Sequence, residues 1–385
     1  KKALAYYQKL DNKIGIISCL NNIGQLYFRL GKLNICNEYY QDALHLAKMI
    51  NNKENIANIL NNLGDLNRNR AEYMVALNFY EKSLSIEKSL GNQLGMAISY
   101  SDIGVIYSFL SEFNEALKYH KKAMEIYTEL NNKGGIANAL DNIGGVYASQ
   151  SEYRVALEYQ LQSLAIEKDI NKQSGIAMSF TNIGTTYEKL GELKNSLIYY
   201  KDALKIYERI NNKYGVGISL LNIANQEDQD SISLEYYRKG LKIFEDLGAK
   251  SEILQTLNNI SILYKNLKEY DTSFSYLFKA LTLSKEIKDY SNTSNILNNV
   301  AFTFIHQNNY EKALEYFLKA LKEAKKSKSV ESESSTLLNL AELYKELDNK
   351  QEAKKNYLLS KHLYEAMGRT KKVEEIDKEL KSLSI

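Results

Sequence analysis

Between Gly134 and Ile170 the apolar residues fall three and four positions apart, in two runs. Ile136, Leu140, Ile143 and Tyr147 make the first, and Val155, Leu157, Leu161, Leu164 and Ile166 the second. That spacing puts each run on one face of an α-helix, and nowhere does the chain sustain the alternation of a half-buried strand. The polar stretch Ser149-Gln150-Ser151 separates them as a turn. The unit is therefore a pair of helices.

The pair recurs. Gly24, Gly64, Gly104, Gly144 and Gly184 stand 40 residues apart, and further steps reach Ala224, Ser261 (after a deletion of three residues), Ala301 and Ala341. A fixed period between about 20 and 50 residues marks a solenoid, in which each unit packs only on its neighbours. The chain reads as one all-α domain over residues 1–385. Residues 1–10 are the second helix of a truncated repeat, so Lys1 opens a piece of a longer protein. Nine helix pairs follow over 14–366, their first helices starting near residues 14, 54, 94, 134, 174, 214, 251, 291 and 331. A capping helix is expected over 370–383, with Val373, Ile376, Leu380 and Leu383 as its one apolar stripe.

Punctuation supports these boundaries. Gly31 and Gly191 occupy the turn within a pair, where a left-handed residue ends a helix. Asn51-Asn52-Lys53, Asn131-Asn132-Lys133 and Asn211-Asn212-Lys213 close the second helix, Asn being tolerant of the same conformation. The sixth pair is irregular: Asn225 to Asp230 lacks three residues and has Glu227 where other units place Tyr or Phe. A shortened first helix followed by a turn is expected there.

These marker residues resemble the tetratricopeptide repeat. The first-helix set is Leu63-Gly64, Ile103-Gly104-Tyr107, Ile143-Gly144-Tyr147 and Ile183-Gly184-Tyr187; the second-helix set includes Ala116-Ala123, Ala313-Phe317-Ala320 and Tyr200-Ala203. The 40-residue unit, with Asn-Asn ahead of the small residue, is similar to the kinesin-light-chain and LGN type, although the family's usual proline is absent throughout. The resemblance implies a right-handed superhelix whose concave groove binds a protein or an extended peptide without catalysis. It also implies a role for one position, two residues before the marker glycine. That position reads Asn22, Asn62, Asp102, Asn142, Asn182, Asn222, Asn259, Asn299 and Asn339.

Asn is a poor helix former, so its recurrence inside eight of the nine first helices asks for a reason. A ladder of amides, each donor and acceptor at once, matches the backbone of an extended peptide. Alternatively each amide bonds to a neighbouring helix and braces the stack. Around the middle of the groove Ile98, Ser101, Val105, Asn138, Asp141, Gly145, Met178, Thr181, Thr185, Ile218 and Leu221 would set specificity. Repeats that grip chaperone C-termini resemble this fold but place Lys and Arg in such positions, and those are missing. Gly145 follows Gly144 inside a helix, where each glycine costs about 1 kcal/mol relative to Ala. Tyr40, Tyr200 and Tyr237 fall on the aromatic core marker, with Tyr39, Tyr199 and Tyr236 expected half exposed beside them.

Bulk composition narrows the alternatives. Lys plus Arg number 50 against 47 acidic residues, interspersed, which excludes the clustered charge of a nucleic-acid face. The basic run Lys319 to Lys328 reads as one solvated helix face. Cys19 and Cys36, the only cysteines, form no ligand or disulfide motif, and Cys36 stands where other units carry Ala or Ser. His45, His120, His306 and His362 are scattered, with no nucleophile beside them; His120 takes an aromatic core slot. No catalytic residue, cofactor or metal is expected, no apolar run is long enough to enter a bilayer, and a cytoplasmic monomer is favoured. Two other readings stay open: a sensory or regulatory segment of a larger kinase or transcription regulator, and a structural scaffold assembling through its convex faces or ends.

Overall fold

Each repeat folds as a helix pair because its punctuation satisfies the backbone at both ends. A computed structural model describes residues 2–383. Its regular structure is entirely helical among those residues. The first compact unit, Lys1–Ile210, opens with α1 (Lys2–Lys9), α2 (Lys13–Arg29), α3 (Leu33–Met49), α4 (Lys53–Asn69), α5 (Tyr73–Leu90) and α6 (Gln93–Phe109). It continues with α7 (Phe113–Glu129), α8 (Lys133–Ser149), α9 (Tyr153–Asp169), α10 (Gln173–Lys189) and α11 (Leu193–Arg209). The second unit, Asn211–Ile385, holds α12 (Lys213–Gln226), α13 (Asp230–Leu247), α14 (Lys250–Asn266), α15 (Tyr270–Glu286) and α16 (Tyr290–His306). After these come α17 (Tyr310–Ser327), α18 (Val330–Glu346), α19 (Lys350–Ala366) and α20 (Thr370–Ser382). From α2 to α19 the helices form nine pairs, and Lys1 lies outside the described residues.

The Asn-Asn junction does two jobs. Asn51, Asn131 and Asn211 adopt φ of 52°, 51° and 54°, the left-handed conformation that ends a helix. The asparagine after each one caps the next helix: Asn52 accepts from the Asn55 N–H at 3.0 Å, Asn132 from Gly135 at 2.9 Å and Asn212 from Gly215 at 3.0 Å. Such a cap is worth roughly 1 kcal/mol. Sequence reading assigned only the stop. Gly31 and Gly191, at φ of 68° and 78°, make the turn inside their pairs.

The pair is locked by a glycine under a ring. A Cβ on Gly24, Gly64 or Gly184 would lie 2.5, 2.4 or 2.7 Å from the ring of Tyr40, Tyr80 or Tyr200 on the second helix. These tyrosines are 2%, 0% and 1% exposed, so the ring seats on bare backbone, and Ala or a larger residue would prise the helices apart. Tyr39 and Tyr199 are not loose partners: each stacks on a first-helix tyrosine, Tyr27 and Tyr187, with centroids 5.5 Å apart. Cys36 is fully buried, as a small core residue should be.

In the second unit α12 is three residues shorter than its counterparts and ends at Glu227 in extended backbone. At the far end α20 buries Ile376 against Ala341, Ala353, Tyr357 and Tyr364, with Val373, Leu380 and Leu383 around it. Lys361 pairs with Asp377 at 2.6 Å across that junction. The basic run of α17 is a solvated face, where Lys319 pairs with Glu315 and Lys326 with Glu323.

Candidate functional site

Where a tyrosine holds the slot over the marker residue, its hydroxyl can reach the surface formed by the first helices, as in three pairs. Tyr80 donates its hydroxyl to Asp65 at 2.8 Å, Tyr200 contacts Thr185 at 3.1 Å and Glu188 at 3.0 Å, and Tyr357 donates to Glu342 at 2.6 Å. The tyrosine thus fills the space between two helices from core to surface. The slot is Leu277 in α15 and Phe317 in α17, and two successive pairs place a polar side chain there. The slot holds His120 on α7 and Gln160 on α9, both shorter and both polar.

A cavity of about 840 Å³ opens above those two residues. Its walls come from Ile98, Ser101, Asp102 and Val105 on α6, Asn138, Asp141, Asn142 and Gly145 on α8, and Met178, Asn182 and Thr185 on α10. These are first-helix positions one turn apart, so the 40-residue period stacks them into one wall. Nothing lies within 4 Å of where a Gly145 side chain would begin, and Gly145 faces open space. Thr181 sits just outside, its hydroxyl donating to the Ala177 carbonyl at 3.0 Å.

Below the opening the groups are buried and incompletely bonded. His120 is 1% exposed with no partner on Nδ1; burial lowers its pKa to about 4, so the ring is neutral at pH 7. Gln160 is held, its Oε1 accepting from Thr186 at 2.8 Å. Asp141 is 9% exposed; Oδ2 meets the Ser179 hydroxyl at 3.5 Å, and Oδ1 has no partner. Burial, with the Glu167 carboxylate adding to it against the opposing Ser163 hydroxyl, pushes Asp141 up to about 6. Asp102 is pushed up to about 7, first by burial and then by Asp65, with Arg68 opposing from 4.0 Å.

The asparagine ladder divides by location. Asn62 donates to Asn21 Oδ1 at 2.8 Å, one repeat back, and in the second unit Asn299 donates to Asn258 at 2.7 Å and Asn259 to Asn225 at 3.1 Å. Those three brace. Asn142 and Asn182 line the cavity, and their side chains make no hydrogen bond among the described residues of their unit. Asn22 is exposed on α2, while Asn222 on α12 and Asn339 on α18 are half-buried. Leu221 is a correction. It is 2% exposed and packs with Ala224, Tyr237 and Phe244 in the core of the second unit. Its partner helix carries Gly240, where a Cβ would come 2.7 Å from the leucine, so Leu221 fills room that other pairs give to alanine or serine. Ile218 is half-buried against the same cluster.

Sequence reading took His120 for a simple core substitute and passed over Gln160. The available signal was their adjacency, two polar residues in consecutive aromatic slots. No group of three His, Cys, Asp or Glu among the described residues could hold a metal, and no helix there is long and apolar enough to cross a membrane.

A sequence profile described as tetratricopeptide repeat matches residues 15–89, 55–129, 95–169, 135–209, 252–326 and 292–366. No curated protein matches the chain. Among solved structures it is similar to the apo form of RapI (22% identical, TM-score 0.54), over 70% of this chain and 99% of that one. It is also similar to aspartyl phosphate phosphatase F from Bacillus subtilis (15% identical, TM-score 0.57, 90% and 93% covered). A third is the Rap conjugation gene regulator of plasmid pLS20 in complex with the Phr* peptide (15% identical, TM-score 0.58, 81% and 96% covered).

Proposed function

The chain belongs to the tetratricopeptide repeat family, and on that footing we propose that it is a non-enzymatic interaction module that takes an extended protein segment along the first-helix face of its first unit. The observation carrying this reading is the cavity over His120 and Gln160, with the Asn142 and Asn182 amides unengaged on its wall. An unpaired amide can meet both the N–H and the C=O of a peptide backbone and is not already held by a neighbouring repeat. The pLS20 regulator, which shares the fold, was solved with a peptide.

The test uses a display library of random extended peptides, panned on the full chain and on the Asn142→Ala, Asn182→Ala variant. Sequences enriched by the first and lost from the second, at equal melting temperature, support the reading. Equal enrichment by both, or a large fall in melting temperature with binding intact, would overturn it and assign these amides a bracing role.

A second reading holds for other repeats. The Asn62–Asn21, Asn259–Asn225 and Asn299–Asn258 bonds favour a purely structural ladder there.

A further inference from the structure

The three first helices that wall the cavity do not present the same chemistry to it. On α6, Ile98 and Val105 lie seven residues apart, two turns along one side of the helix, and Met178 is the counterpart of Ile98 on α10. Ile98 is 41% exposed and Met178 42%. On α8, between them, the equivalent places hold Asn138 and Gly145, both exposed. Nothing lies within 4 Å of where a Gly145 side chain would begin. The wall therefore carries apolar side chains at its two edges and a polar, nearly bare strip in the middle.

The fold does not call for apolar residues there. Other repeats hold Ser18, Asn58, Gln255, Asn295 and Ser335 at the same position, and Ile218 is half-buried against the core of its own unit. A single exposed aliphatic is ordinary; two at matched positions on either side of one cavity are a surface waiting to be covered. What covers them must keep its backbone free in between. A helix bonds its N–H and C=O groups to itself and could not answer the Asn142 and Asn182 amides, whereas an extended chain can. Neighbouring first helices, α6 with α8 and α8 with α10, are in contact, and packed helices have axes about 8–10 Å apart. Two such steps span roughly 16–20 Å, five or six residues of extended chain at about 3.3 Å each. Side chains of an extended chain alternate, so only an even separation puts two on the same side. Six satisfies both conditions. An acidic side chain entering between them would lose water and find no Lys or Arg on the lining.

We propose that the cavity reads two aliphatic side chains of an extended segment, set six residues apart, one covering Ile98 and Val105 on α6 and the other Met178 on α10, with the backbone crossing α8 over Asn138 and Gly145. The proposal rests on the peptide-groove reading and gives it a sequence rule: aliphatic residues at i and i+6, and no acidic residue between them. The two contacts fix register, because a shift by one residue turns both side chains away from the wall.

The experiment starts from peptides enriched on the full chain, made synthetically with a fluorophore and measured by anisotropy. Expected in the aligned set are aliphatic residues at i and i+6, with Asp and Glu depleted between. Replacing either one with Ser should weaken binding by about tenfold, the scale of covering one aliphatic side chain. Ile98→Ser and Met178→Ser should each weaken the parent peptide by a similar factor. Ile98→Ser should then cost nothing further against one of the two Ser peptides, and Met178→Ser nothing further against the other, a crossed coupling that a general loss of structure would not produce. Both residues are exposed and Ser18 and Ser335 hold the same place elsewhere, so both variants should fold, as circular dichroism establishes. An enriched set that depends on Asn142 and Asn182 but lacks the spaced pair would overturn the rule and leave the groove standing. Coupling of both variants to the same peptide residue would do the same. No enrichment at all would sink both readings. Dimerisation of the free chain that Met178→Ser abolishes would make a second copy the occupant and overturn the proposal.

Discussion

Repeats three to five of the first unit and the repeats of the second unit share an asparagine position on their first helices, Asp102 being the one exception, and use it differently. In the second unit the inner polar residues bond to one another from pair to pair. Asn299 reaches Asn258, Asn298 reaches Thr336 at 2.9 Å, and Ser291 meets Ser332 at 2.8 Å. In the first unit the only such side-chain hydrogen bond among α6, α8 and α10 is Ser179 to Asp141, at 3.5 Å. The slot below explains the contrast. Phe317 and Tyr357 fill it in α17 and α19, whereas His120 and Gln160 leave it short in α7 and α9. In the second unit a tyrosine or a large apolar side chain fills each slot, Leu277 of α15 included, whereas α7 and α9 place a polar one there.

Restoring the rings should erase the difference. Gly104 and Gly144 are still in place to receive them, so His120→Tyr with Gln160→Tyr is expected to fill the cavity and hold the melting temperature at or above its present value. Binding of an enriched peptide should fall by about a hundredfold, equivalent to roughly 2.8 kcal/mol; unchanged binding would show that the cavity is not where the segment sits.

Titration separates the units next. The Asp141 carboxyl has its pKa raised to about 6 by burial, so its protonated form favours the fold. That stability is complete below the ordinary aspartate range and is lost as pH rises through 6. Asp141→Asn should therefore raise the melting temperature at pH 8, with the gain shrinking toward zero as pH falls below 5. Thermal scans across that range check it, and a gain that grows in acid would contradict the sign.

The same letter should then give two different losses. Asn299→Ala removes a bond and strands Asn258, at a cost of about 1 kcal/mol in chemical denaturation. Asn142→Ala should cost stability nothing measurable and reduce peptide affinity. Equal destabilisation by both would collapse the distinction between bracing and binding amides. Smallest of all is Gly145→Ala. A helical glycine in open space is expected to gain up to about 1 kcal/mol on substitution, and a simultaneous fall in affinity would place ligand backbone against that position.

How far the chain could be read in advance follows from the kind of information each feature needs. Helix pairs, their turns and the shortened α12 depend on local spacing and on left-handed Asn and Gly, all visible in one pass. Depth does not. Leu221 has the period of a groove residue, and only Gly240, on the next helix, sends it into the core. Asn299 and Asn142 are the same residue at the same position. The first has the Asn258 amide oxygen one repeat back to accept its hydrogen bond; the second has Ser101 at that place. The cavity needed a comparison down a column of aromatic slots, where the side chain's length, and not its polarity alone, decides whether space remains.

The ring-on-glycine contact lies wholly inside one pair: Gly64 and Tyr80, or Gly184 and Tyr200, travel together within a single stretch of sequence. Such a unit is a cassette. Unequal recombination can copy or delete it whole, and each new copy arrives with its own lock intact, needing only to match surfaces with the neighbours it lands between. The asparagine braces are different, since Asn299 is useful only if the preceding copy supplies Asn258. Lineages that shuffle these cassettes would keep the glycine and the ring and lose the braces first, leaving unpaired amides at every fresh junction. New binding surfaces would then arise at the seams of duplication, before any selection for a ligand.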